Sequence, residues 1–149
     1  ATTRTEPFIT TEAVSYLPQF LAELRDPYLG TLEAATTFLA RAARPSDRVL
    51  TNYERDALAF ATDLTVLYQK EDLAQNPEWL IPRPNPFFWE FETIPLGYEP
   101  FVLDAPNTAF ENVPEIGEHL FRPNPTHPPL VLYHRVSAPL KQGFDPATL

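Results

Sequence analysis

The chain has 149 residues, the size of a single domain, and 44% of them are hydrophobic and 13% aromatic, a profile that excludes a disordered chain. Twenty acidic against 11 basic residues leave a net charge of -9, which repels phosphate backbones and excludes nucleic acid as a partner. There is no cysteine, which excludes disulfides, thiolate nucleophiles and cysteine-held metal, and no run approaches the roughly 18–20 apolar residues of a membrane span.

In chain order, residues 1–9 are polar. From Thr10 or Thr11, Val14, Leu17, Phe20/Leu21 and Leu24 recur at helical spacing, and Pro18 predicts a kink within that segment. Thr31 is placed as the N-cap of the next helix, whose stripe is Leu32, Ala35, Leu39 and Ala42, widened by Phe38; Pro45 stops it. Arg48 to Tyr53 reads as a strand. Asn52 then caps a short helix over 54–62, with Glu54 and Asp56 in its first turn, and a strand follows at Leu64–Gln69. This βαβ pattern predicts parallel strands. Lys70–Gln75 gives one further helical turn, Trp79–Ile81 a third strand, and Glu99–Asp104 and Pro129–Val136 two more. Prolines concentrate from Pro77 on, so the second half is expected to be loops between short strands. The expected fold is α/β, a single three-layer Rossmann-like domain with a mostly parallel sheet of about five strands and an irregular second half. Residues 1–27 form an N-terminal helical segment, 28–136 the core domain and 137–149 a tail. With no methionine and Ala1 in first place, the chain reads as a piece of a longer one.

The usual soluble chemistries lack their residues. A phosphate cradle needs glycines where the first strand turns into its helix, but that turn is Asn52-Tyr53-Glu54-Arg55-Asp56, and the only glycines are 30, 97, 117 and 143. Ser15, Ser46 and Ser137 lie in no nucleophile elbow. Glu115 and His119 would share a helix face as metal ligands, but Pro114 and Gly117 argue against a helix there, and a histidine bonded within a loop is preferred. His127 and His134 get the same reading. Glu90 and Glu92 among Phe87, Phe88, Trp89 and Phe91 combine acids with aromatic rings, as sugar sites do, yet an amphipathic edge strand or contact patch is the commoner outcome. No catalytic residue, metal or cofactor is expected.

Several segments, taken in order, carry a resemblance. They are Tyr28-Leu29-Gly30 with Glu33, the run from Arg44 to Leu50, Asn52-Tyr53-Glu54, the run from Leu58 to Val66, the run from Pro77 to Arg83, and Asn112-Val113-Pro114-Glu115 with His119 and Phe121. Over roughly residues 28–135 the chain resembles the soluble C-terminal domain of bacterial membrane glycosyltransferases related to the protein mannosyltransferases and the lipid A aminoarabinose transferases. In that family a bundle of membrane helices holds the catalytic acids, in its first extracytoplasmic loop, and uses a sugar on a polyprenyl phosphate. The resemblance implies an accessory domain on the extracytoplasmic face of the cytoplasmic membrane. Its implied partners are the parent's membrane-embedded domain and a glycan or lipid-linked sugar.

Candidate binding residues are Tyr53, Glu54, Arg83, Trp89, Asp104, Asn112 and His119. Tyr53 and Glu54 sit at the carboxyl end of the first strand, where open α/β sheets place ligands. The structural reading of the same residues is a helix cap with a favourable dipole partner. Arg83, Asp104, Asn112 and His119 are expected to form a polar cluster where the loops meet, with structural roles the commoner outcome. For Trp79, an indole in an apolar strand, core is expected. A free-standing glycan or small-ligand binding module and a protein-interaction domain are the alternatives.

Overall fold

The first described helix, α1 (Thr31–Ala42), buries Ala34, Ala35, Phe38, Leu39 and Ala42, the three-and-four spacing of an apolar face. The structure, a computed structural model, describes residues 30–53, 55–84, 89–107 and 128–149; the helix expected from Thr10 lies outside them. Gly30, not Thr31, is the N-cap, because Thr31 is turned inward and its hydroxyl donates to the Pro106 carbonyl at 2.7 Å. Glu33 in the first turn and Arg41 in the last both suit the helix dipole.

Strand β1 (Arg48–Thr51) leads into helix α2 (Arg55–Ala61) and strand β2 (Thr65–Leu67). The 3-10 turn Lys70–Gln75 then carries the chain to β3 (Trp79–Ile81), and β4 (Tyr98–Pro106) and β5 (Pro129–Arg135) follow. The sheet order is β2-β1-β3-β5-β4. β1 runs parallel to β2 and to β3, as the βαβ pattern predicts.

The expectation of a mostly parallel, three-layer Rossmann-like sheet is overturned. β3 pairs with β5 antiparallel, and β5 pairs with β4 antiparallel over the longest register in the sheet, so the sheet is mixed. Asn107 N–H bonds to the Pro128 carbonyl at 2.8 Å at the end of the antiparallel β4–β5 pair. The two α-helices among the described residues also feed one core cluster on one face of the sheet. Leu50 and Leu80 alternate to the opposite face and are fully buried there.

Pro100 lies inside β4 without breaking it. Val136 N–H bonds to the Gly97 carbonyl, and ladder pairs alternate, so Pro100 opposite Tyr133 is a non-hydrogen-bonded pair whose missing N–H would face away from β5.

The core centres on Trp79, fully buried as expected, with Phe38 at 5.7 Å and Phe101 at 6.0 Å between ring centroids. The indole N–H donates to buried Asp47 at 3.2 Å, which also accepts from the Arg44 backbone N–H at 3.0 Å. The Asp47 carboxylate thus satisfies two donors that would otherwise be stranded. Residues 137–149 also reach this core: Leu140 and Phe144 pack against it, and Phe144 lies 5.6 Å from the Phe38 ring. No described helix is long and apolar enough to cross a membrane.

A second polar knot lies at the amino ends of the parallel strands. Glu78 Oε2 accepts from Arg48 N–H at 2.7 Å and Oε1 from Arg135 at 2.7 Å, so one carboxylate joins β1, β3 and β5. Burial alone would push the Glu78 carboxyl up, but the hydrogen bonds from Arg48 outweigh it and hold the pKa at about 2.

Candidate functional site at the carboxyl edge of the parallel strands

Because β1, β2 and β3 are parallel, their carboxyl ends meet on one edge of the sheet. β3 joins β1 on the side opposite β2, so the winding reverses between β1 and β3. That switch point is where open α/β sheets form a crevice for ligands. The residues that emerge there are Asn52 and Tyr53 after β1, Tyr68 after β2, and Pro82 and Arg83 after β3.

Asn52 occupies the crevice itself. It is fully buried, its Nδ2 donates to the carbonyls of Arg83 at 2.7 Å and Trp89 at 2.9 Å, and its Oδ1 accepts from Arg83 N–H at 2.8 Å. A side-chain amide therefore continues the β1–β3 pairing beyond the last backbone bond and pins the following loop. The Thr51 hydroxyl adds to this, donating to the Tyr53 carbonyl at 3.0 Å. Sequence reasoning placed Asn52 as a helix cap; the bonds across the sheet are long-range and have no signature in the local sequence.

Around this clamp, cations and aromatic rings alternate. The Arg83 guanidinium lies 5.2 Å from the Tyr53 ring centroid, and Arg55 lies 6.0 Å from that of Tyr68. The Trp89 indole donates to the Tyr68 carbonyl at 2.9 Å, and its ring lies 4.7 Å from Phe91. Lys70 pairs with Glu92 at 2.6 Å, and this bond lowers the Glu92 pKa although both side chains are exposed. The edge thus holds half-buried aromatic rings beside two guanidinium groups, Arg83 buried and Arg55 exposed.

Of the candidate residues, the structure brings Tyr53, Arg83 and Trp89 together around Asn52. Asp104 is exposed on β4, which β5 separates from β3. Glu54, Asn112 and His119 lie outside the described residues, as do Phe87, Phe88, Glu115 and His127. Glu90 and Glu92 are both exposed, with Glu92 held by Lys70. Sequence reading missed Asn107, whose Nδ2 donates to the Pro82 carbonyl at 3.1 Å and ties the end of β4 to this edge. Among the described residues, no three His, Asp or Glu side chains converge as metal ligands.

Two surface cavities lie elsewhere, along the carboxyl-terminal end of α1. One, of about 290 Å³, is lined by Leu39, Phe60 and Leu64 among others, and one, of about 410 Å³, by Arg41, Lys141 and Thr148. Both are partly open to solvent, and neither is lined by a residue of the Tyr53–Arg83–Trp89 edge.

Comparison with protein-family models, curated proteins and solved structures found no match to this chain.

Proposed function

We propose that the chain is an accessory domain of a polyprenyl-phosphate-sugar-dependent membrane glycosyltransferase, acting on the extracytoplasmic face of the membrane. In this reading it braces the parent's membrane domain or presents a glycan, and performs no transfer itself. The ordered segments that resemble such domains support the parent enzyme. The observation that carries the accessory role is the Asn52 clamp: at the one place where an α/β sheet of this topology opens a ligand crevice, the polar side chain is spent on three bonds to the domain's own backbone. An edge built this way is a rigid presenting surface.

The coding sequence upstream of Ala1 tests the parentage. It is expected to encode a bundle of membrane helices with acidic residues in the first extracytoplasmic loop, and a reading frame that opens at Ala1 would remove the reading. For the accessory role, the purified chain is incubated with a polyprenyl-phosphate sugar and a peptide or glycan acceptor. No transfer is expected, and detectable turnover overturns it.

A second reading, a glycan-binding module, is favoured by one feature: the Trp89 and Phe91 rings lie 4.7 Å apart, tilted to each other, and stay half-exposed, as rings that receive a sugar face do. Tryptophan fluorescence titrated with soluble oligosaccharides distinguishes it, since an accessory brace gives no saturable change.

A further inference from the structure

His134 sits in β5 with its ring turned into the main core, and only 1% of the residue is exposed. In register it lies opposite Trp79 on β3 and Glu99 on β4, so it is the common pin of both antiparallel seams. Its ring is 4.5 Å from that of Trp79 and 6.3 Å from that of Phe101. Nδ1 lies 3.4 Å from Glu99 Oε1, while Nε2 is buried and has no hydrogen-bond partner among the described residues. This environment suits a neutral imidazole that donates from Nδ1 and turns its Nε2 lone pair to the aromatic rings. An imidazolium would need a second acceptor at Nε2, and the described residues supply none.

We propose that His134 is an acid-sensitive pin: a proton taken from water at Nε2 places an unsolvated N–H and a positive charge in the aromatic core and loosens the β3–β5–β4 seams. The charged groups that face it pull in both directions. Glu99 on β4 and Asp47 before β1 favour the proton, and Arg135, the next residue of β5, opposes it; the facing groups of β3 and β4, Trp79 and Phe101, are neutral. Burial outweighs the two carboxylates and lowers the His134 pKa below its usual 6.5. The unfolded chain therefore binds the proton first as pH falls. Stability drops from about pH 6.5 down to the folded-state pKa, by at most about tenfold in the folding constant per pH unit, and is level below it.

The test measures urea unfolding of the full chain from pH 8 to 5, alongside amide-exchange protection in each strand. Wild type is expected to lose stability across this range, with protection in β4 and β5 falling before that in β1 and β2. His134→Phe, which keeps a ring and cannot take a proton, is expected to flatten the pH dependence. Glu99→Gln, on a half-exposed side chain that leaves the core intact, removes a carboxylate that favours the proton and is expected to leave the onset near pH 6.5 while extending the loss to lower pH and deepening it. The same slope in His134→Phe, an unmoved Glu99→Gln curve, or protection lost equally in all strands overturns the proposal. Its failure leaves the accessory-domain reading untouched, since the two share no residue.

Discussion

Replacing Glu78 by Gln keeps the shape of the side chain and removes the charge that joins three strands. The carboxylate is nine-tenths buried and accepts from Arg48 N–H, Arg48 Nε and NH2, and Arg135 NH2, at 2.7 to 3.2 Å. Its pKa falls from 4.5 to about 2 on folding. At about 1.4 kcal/mol per tenfold, that difference is worth about 3 kcal/mol of stability at neutral pH. The folded-state pKa is depressed, so this contribution is complete well above pH 4.5 and is lost as pH falls from there to about 2. Urea unfolding of wild type and Glu78→Gln at pH 7 and pH 3, followed by far-UV circular dichroism, measures it. The expected gap is about 3 kcal/mol at pH 7 and about half that at pH 3, where the unfolded chain's carboxyl has taken up its proton while the folded one is still mostly ionised. A gap of the same size at both pH values would show that Gln disturbs packing or hydrogen bonding rather than charge, and would refute the argument. The Glu78 loss begins near pH 4.5 and the His134 loss near pH 6.5, so the onsets in one pH series tell the two apart.

Asn52→Ala leaves the Arg83 N–H and two carbonyls without their partner at a buried edge, and is expected to cost about 2–4 kcal/mol in urea unfolding and to shift Trp89 emission; a loss below about 1 kcal/mol would mean that the loop holds without its clamp. Asn76 has a φ of 49°, the left-handed conformation that glycine adopts without strain, so Asn76→Gly is expected to be neutral and Asn76→Ala to lower stability by about 1 kcal/mol, read as a shift in the urea midpoint.

Local pattern was enough for the elements. The apolar stripe of α1, the strand at Trp79–Ile81 and the turn at Lys70–Gln75 all follow from spacing and residue type within a few neighbours, and the structure places them there. The boundaries that shifted did so for tertiary reasons. Thr31 gave up the cap position because its hydroxyl found the Pro106 carbonyl, a partner 75 residues away. The sense of the last two strands was not legible, because β4 and β5 have the same local pattern whether they run with their neighbours or against them; it is set by pairing between residues far apart in the sequence.

For the candidate site, the sequence by itself determined that a βαβ unit would put Asn52 and Tyr53 at a carboxyl edge, and that no glycine-rich phosphate cradle could form there. Only the tertiary structure decided that Arg83 and Trp89 would meet them, and that Asn52 would close the crevice rather than line it. It also decided that Glu78 and His134, unremarkable as letters, would become buried ionisable groups that join strands. The physical reason is the same in each case. Helix and strand formation respond to neighbours a few residues apart, whereas the partner of a buried polar group is whatever the fold brings within 3 Å of it, and that is set by the topology of the whole chain.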